Sequence, residues 1–339
     1  MSDFRIDKIT NRDGSAGTQI AGITTFSGTS GMQLPVGPTE YRGGRGRMVM
    51  MGGYGNSPAN SAQNQIQYLT IATTGNTSDF GDMSEVRYVP ASCASSTRGI
   101  AAGGDGTPAA YKSSIDYVTI SSQGGASDFG SLPVANAYAV GLSDSSRGII
   151  AGGNTPGMSN VIQYVTIAST GDTSDFGDLT VDRGNCASCA SPTRGIVFGG
   201  QRPSDSRDEI EYITIATRGD AIDFGNLQNE SRQGAGLSNT TRGVHAGGSG
   251  SLKHIAYITI ATTGNALDFG DLSSGAGWLG SGASSARGIF AGGYASPVGL
   301  NRIEYVTIAT TGDATDFGDL IGPAVYGCIG LTDVHGGLG

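Results

Sequence analysis

The sequence predicts an all-β chain assembled from repeated four-stranded antiparallel units. Three observations carry this. The phrase Ile-x-Tyr-(Val/Ile/Leu)-Thr-Ile, then a polar turn containing Gly, then Asp-Phe-Gly, occurs six times, opening at Ile66, Ile115, Ile162, Ile210, Ile255 and Ile303. A second phrase, Arg-Gly-x-x-x-Gly-Gly, starts at Arg98, Arg147, Arg194, Arg242 and Arg287, with the variant RMVMMGG at Arg47. Gly supplies 58 of 339 residues, more than double its usual share of about 7%, without the Gly-X-Y period of collagen. Ser/Thr/Gly clusters alternate with short Ile/Val/Tyr runs, which is the pattern of short strands joined by turns.

The spacings place the elements in order. Strand a is a run of small residues such as GNCASCAS (184–191), strand b is RGIVFGG (194–200), strand c is IEYITI (210–215) and strand d is AIDFGNL (221–227). From the Ile opening strand c to the Asp of Asp-Phe-Gly is 13 residues in all six copies, and from that Asp to the next repeat Arg is 19. The same count from Asp316 lands on His335, which therefore reads as a stand-in for a seventh Arg. All length variation falls between Arg and Ile, at 19, 17, 15, 16, 13 and 16 residues. The c–d turn pairs Gly with Asn or Asp, as in 74–76, for its positive φ. Gly-Gly ends strand b or permits tight strand packing. Strand c is apolar on both sides because both faces of its sheet are buried.

Four antiparallel strands in about 48 residues is the blade unit of a β-propeller. The first strand b, at Arg47, has no strand a before it, and the run Val325–Leu331 has no strand b after it. Pairing these two closes the ring and leaves no open edge. The fold class read from the sequence is thus an all-β, six-bladed propeller (41–339) preceded by an extended N-terminal arm (1–40).

Strand, Gly-Gly, Tyr strand, Phe in strand d and Arg, in that order, resemble kelch-type propellers, though kelch repeats usually carry Trp where this chain has Phe80, Phe129, Phe176, Phe224, Phe269 and Phe317. Over essentially the whole chain, the wording of the arm (6–47) followed by YxTIATTGNxxDFGDL blades resembles structural proteins of tailed phages, especially those infecting marine cyanobacteria. The resemblance implies a virion protein, assembled in the host cytoplasm, with other virion proteins as partners through the arm. Homo-oligomerisation is compatible with it.

Charge and motifs narrow the chemistry. The net charge is −9, with about +2 in residues 1–47 and −11 in the remainder. An acidic body lacks the clustered Lys/Arg that nucleic acid requires. MSDFRIDKIT has no apolar run of secretory-signal length, and no stretch of about 18 apolar residues exists to insert in a membrane. Asp-Phe-Gly matches the magnesium loop of protein kinases, but six copies without a Lys strand or His-Arg-Asp loop exclude that chemistry. Its Phe is expected to fill the space between blades, and its Asp to bond turn amides. Gly-Arg-Gly (44–46) precedes no helix, so it is not a phosphate loop. Cys186 and Cys189 lie three apart on a strand, facing opposite ways, and do not ligate one metal. With Cys93 they read as small core residues, and four Cys in all, Cys328 included, are too few for a disulfide framework. His245, His254 and His335 fall at different repeat positions, and His245 reads as an inward packing residue. Asp172, Asp175 and Asp178 are spaced poorly for calcium. The sequence therefore offers no catalytic, cofactor-binding or metal residues, and no enzyme is expected.

Recognition is expected in the b–c loops, 54–65, 105–114, 154–161, 201–209, 249–254 and 294–302, which leave a propeller on one face. They carry Tyr54, Asn56, Tyr111, Lys112, Met158, Arg202, Arg207, Lys253, Tyr294 and Asn301. The strand-c tyrosines read as core. Trp278 and Tyr138, near strand a, are the exposed-aromatic candidates. The leading expectation is a non-catalytic virion protein displayed on the tail or capsid surface. The alternatives are a host-receptor or glycan-binding adhesin using the loop face, and a polysaccharide-active enzyme, which needs paired carboxylates at a pocket.

Overall fold

The computed structural model describes residues 46–338 apart from 56–60, 108–109, 204 and 251; the expectations for the arm and for Asn56 lie outside the described residues. Among the described residues the regular elements are all β-strands, and six four-stranded antiparallel sheets carry the architecture, consistent with a propeller. In the fourth sheet strand a is Ala187–Ala190, b is Arg194–Gln201, c is Ser206–Thr214 and d is Ile222–Asn226, hydrogen-bonded in that order. The other sheets repeat its register, with Arg opposite Thr and an apolar residue opposite Tyr, as in Arg98↔Thr119 and Ile100↔Tyr117.

The first sheet is completed from the far end of the chain. Ile329–Thr332 is its strand a and pairs with Arg47–Met51, with Met48 opposite Thr332 and Met51 opposite Ile329. Val325–Tyr326 pairs separately, with Tyr54–Gly55. The reading of His335 as an Arg stand-in is corrected here. The Asp of Asp-Phe-Gly precedes strand a by 12 residues in the other links (Asp79 to Ala91) but by 13 in the last (Asp316 to Ile329). Asp333 therefore takes the place that Asp144 holds in the third sheet. Asp144 accepts from the amides of Ser146 and Arg147; Asp333 accepts from those of Gly46 (2.9 Å) and Arg47 (3.1 Å), across the gap between the two chain ends. Arg47 itself fills the Arg position of that turn.

The buried apolar residues fall into six clusters, each between two consecutive sheets and one between the sixth and the first. Phe of strand d anchors each one. In strand d the register slips at Phe: Ile162 faces Gly177 and Gln163 faces Asp175, so Phe176 is the extra residue of a β-bulge. The bulge sends the ring into the core and turns the Phe176 carbonyl to the next sheet, where it accepts from the Gly219 amide at 2.9 Å. The neighbouring turn lies so close that a Cβ on Gly177, at φ +152°, would sit 2.5 Å from the Gly219 carbonyl oxygen. Only Gly fits there.

The repeat Arg supplies a second clamp. Its guanidinium lies over the Tyr of its own strand c, 4.3 Å from the ring centre for Arg98 and Tyr117. It donates to the carbonyl ending strand c of the next sheet: Arg98 to Ile167 (2.9 Å), Arg242 to Ile308 (2.8 Å) and, from the last sheet back to the first, Arg287 to Ile71 (3.2 Å). The strand-c tyrosines are thus half-buried, sandwiched between Arg and Phe, as in Tyr117 and Phe129 edge to face at 6.1 Å. The role expected of the Asp in Asp-Phe-Gly is not observed. Asp79, Asp128, Asp175, Asp223, Asp268 and Asp316 are exposed. In five of the six links the Asn or Asp of the c–d turn does that work across sheets, as where Asp172 accepts from the Ser131 amide (2.8 Å) and Asn76 from the Asp319 amide (2.9 Å); the second sheet has Gly125 there.

Candidate functional site

The six a strands line one central cavity of about 180 Å³. It is narrow because small residues alternate round it. Ser92, Ser188 and Ser281 donate to the carbonyls of Gly330 (3.1 Å), Gly141 (2.6 Å) and Gly236 (2.8 Å). Residues 335–337 lie across one end, where the Gly336 amide donates to Ser238 (3.2 Å) and His335 Nε2 stands 3.4 Å from Ser143 Oγ. That Ser–His pair is not a nucleophile with its base, since the Ser143 hydroxyl already donates to the Ala94 carbonyl at 2.8 Å. Among the described residues no group of three or more His, Cys, Asp or Glu is arranged to hold a metal ion.

The other end of the cavity is a mouth with its own backbone ring. Two residues before each strand a stands one of Val89, Tyr138, Asn185, Gln233, Trp278 and Gly327. Each donates its amide to the carbonyl of the counterpart in the preceding sheet: Tyr138 to Val89 (3.2 Å), Asn185 to Tyr138 (2.9 Å), Gln233 to Asn185 (2.8 Å), Trp278 to Gln233 (2.6 Å), Gly327 to Trp278 (2.9 Å) and Val89 to Gly327 (2.7 Å). The circuit closes on itself. To aim amide and carbonyl along the ring, all six adopt φ between 47° and 65°. That region is unfavourable for a residue with a Cβ, and more so for a bulky or branched one. Elsewhere this chain meets positive φ with Gly; its five non-Gly residues of positive φ among the described residues are the five in this ring. Gly would serve the backbone equally well, so the strain is retained for the side chains.

Those side chains join the aromatic residues of the b–c loops. Tyr54 packs against Tyr88 and Tyr326, both at 5.3 Å; Trp278 stacks on Tyr326 at 5.4 Å; Tyr294 lies 5.1 Å from Tyr326. Tyr88 continues to Tyr138 (6.3 Å), and Tyr138 to Tyr111 (6.2 Å). All are half-buried. Asp105, 4% exposed, fixes the middle of this arc. It accepts from the hydroxyls of Tyr88 (3.0 Å) and Tyr138 (3.5 Å) and from the Ala110 amide (2.9 Å). Burial, with Tyr138 and Asp105 beside it, pushes the Tyr88 phenol far above its ordinary range, so the hydroxyl stays protonated. Asn185 and Gln233 complete the rim with amides, and Trp278 Nε1 donates to Asn185 Oδ1 at 3.3 Å.

The loop residues singled out in the sequence therefore divide. Tyr54, Tyr111 and Tyr294 converge with Tyr138 and Trp278. The charged ones pair locally: Lys112 with Glu85 (2.8 Å), Arg202 with Asp182 (3.1 Å), Arg207 with Glu209 and Asp205, and Lys253 with Asp271 (2.8 Å). Met158 lies in a two-residue ribbon with Asn154–Thr155, and Asn301 passes its carbonyl to the Leu320 amide. Tyr88, Asn185, Gln233 and Tyr326 are rim residues that reading the b–c loops overlooks. Their signal is a d–a link of nearly constant length whose residues differ from unit to unit.

The cysteines and His245 belong to the packing, whereas His254 pairs at the surface with the exposed Asp268, 3.0 Å away. Cys189 and Cys186 point into different inter-sheet cores, and burial raises the thiols of Cys93 to about 12 and Cys186 to about 11. His245 is buried with its ring 5.7 Å from Phe198, and burial lowers its pKa to about 4. The folded chain then leaves His245 neutral where the unfolded chain, with a pKa near 6.5, takes up a proton. This contribution is complete above about pH 6.5 and is lost as pH falls toward 4. Replacing His245 with Phe, the residue at the same repeat position in Phe290, is expected to remove about 2 kcal/mol of the stability difference between pH 7.5 and 5.0. Urea denaturation at the two pH values measures it.

Comparison of the sequence with family models gives no match, and a search of curated proteins gives none.

Proposed function

We propose that the six sheets are the blades of a closed, kelch-like propeller, and that the chain is a non-catalytic structural protein of a tailed-phage virion. In this reading residues 1–40 anchor it to other virion proteins and the propeller is displayed on the tail or capsid surface. The observation that supports a displayed scaffold is the set of contacts repeated from sheet to sheet round the ring. Arg clamp, Phe carbonyl, turn Asx and mouth amide all serve assembly, and they absorb the motifs that resembled catalytic ones. The wording of arm and repeats, which resembles phage structural proteins, supports the virion assignment. Deleting residues 1–40 is expected to leave a soluble, folded propeller that no longer enters particles; incorporation of the truncated chain would overturn the anchoring role.

A second reading, an adhesin that binds host-surface glycan, is favoured by one observation. The aromatic loop residues converge on the mouth instead of scattering over the face.

A further inference from the structure

We infer that the aromatic rim of the central mouth is a binding site for uncharged pyranose rings of a glycan, stacked on Trp278 and Tyr138, with Tyr326 backing the indole, and hydrogen-bonded by Asn185 and Gln233. The inference rests on the adhesin reading and is independent of how the chain is carried on a particle.

Three features argue for a site. The first is the strain described above: large side chains are held at φ 61° (Tyr138) and 53° (Trp278) in a chain that otherwise uses Gly for such backbone. The second is organisation by a buried carboxylate. Asp105 is a positioning residue that accepts from the Tyr88 hydroxyl at 3.0 Å, while the Tyr138 hydroxyl lies 3.2 Å from that of Tyr88 and 3.5 Å from Asp105, which fixes both rings. The third is composition. Apolar ring faces beside a few convergent polar groups are what a small-ligand site presents.

The chemistry then selects the ligand. The carboxylate at the rim is acidic, and Lys112 and Arg202 are paired with Glu85 and Asp182; Arg232, beside Gln233, donates to Ser249 Oγ at 3.1 Å, so a single guanidinium is all that faces a phosphate or a sulfated polymer there, and the heparin arm below tests it. A proline-rich peptide also docks on aromatic grooves, but it needs indole N–H and phenol O–H donors for its carbonyls. Here the indole N–H is committed to Asn185 and the Tyr88 hydroxyl to Asp105, and the decaproline arm below tests the remaining phenols. A sugar brings its own hydroxyl donors and places the C–H face of its ring on an aromatic face, which the partly negative π-surface favours.

Trp278 is the only Trp of the chain, so its fluorescence reports on this site alone. The full chain is titrated with cellohexaose, maltohexaose, mannohexaose and chitohexaose, with heparin and decaproline in parallel. At least one neutral oligosaccharide is expected to shift Trp278 emission saturably. Calorimetry with the responding sugar is then repeated on Tyr138→Gly and Trp278→Gly. Both variants suit their left-handed backbone, so melting is expected to move by less than about 4 °C, while affinity falls at least tenfold. Tyr326→Ala, outside the strained position, should weaken binding similarly. The inference is overturned by a response to decaproline or heparin alone, by no response to any probe, or by sugar binding that the variants leave unchanged. None of these outcomes touches the arm deletion, which tests virion attachment separately.

Discussion

Ending the chain after Cys328 is expected to abolish cooperative folding. The lost segment includes strand a of the first sheet, so Arg47–Met51 becomes an open edge whose partners Ile329–Thr332 are gone. Leu331, 4% exposed, leaves the core between the first and second sheets, and Val334 leaves the core between the sixth and first. The Gly46 and Arg47 amides lose the Asp333 carboxylate. Each large buried side chain removed costs about 2–5 kcal/mol, against a whole-domain stability of about 5–15 kcal/mol. Far-UV circular dichroism with urea denaturation checks it, and a two-state transition like that of the intact chain would show that the closing strand is dispensable. A chain in which residues 327–334 are joined by a short flexible linker to Gly46 should refold, because the Asp333 carboxylate already accepts from the Gly46 amide at 2.9 Å, which keeps the two chain ends side by side.

Replacing Arg183 with Met is expected to cost about 3–5 kcal/mol, because it strands a buried carboxylate. Arg183 is fully buried and sits 3.0 Å from Glu211, whose side chain is 2% exposed. Its Nη1 donates to the Gly199 carbonyl at 2.8 Å, so the guanidinium also ties down the end of strand b. Changing both partners to Met removes the unpaired charge and is expected to recover most of the loss, since a buried ion pair gains little over well-packed apolar residues. Chemical denaturation of the two singles and the double decides it. If Arg183→Met alone loses under about 1 kcal/mol, the pair does not hold this corner. The protein carries its own control in the fifth sheet, where Ser231 and Ala256 occupy the positions of Arg183 and Glu211 and are buried without an ion pair.

This pair belongs to an alternation that a single-unit reading misses. The residue after the opening Ile of strand c is acidic in the second, fourth and sixth sheets (Asp116, Glu211, Glu304) and Gln or Ala in the others (Gln67, Gln163, Ala256). Arg87 meets Asp116 at 3.0 Å, Arg183 meets Glu211 at 3.0 Å, and in the sixth sheet Arg302 meets Glu304 at 2.8 Å. Ser92, Ser188 and Ser281 fall in the same three sheets. The structural unit is thus one sheet, while its chemistry repeats every two. The signal was present in the sequence, at twice the period that the Tyr and Arg phrases advertise.

The sequence by itself determined what is local and periodic. Alternation and turn residues placed the strands, the constant spacings counted the units, and two half-units at the ends called for pairing Arg47–Met51 with the C-terminal run. Those features depend on neighbours within one sheet, so one unit's residues state them. What only the tertiary structure decided depends on contacts between sheets. The Asp of Asp-Phe-Gly faces solvent, and in five of the six links the amide three residues further on is met by the Asn or Asp of the next sheet's turn. His335 leaves the Arg register because one extra residue in the last link lets Asp333 bridge the chain ends. Tyr138, Asn185, Gln233 and Trp278 become one rim because a closed circuit of amides draws six distant links to a common axis. That circuit demands a left-handed backbone, which nothing in a Tyr or a Trp announces. No spacing rule within a unit reveals it, since the bonds join residues some fifty positions apart.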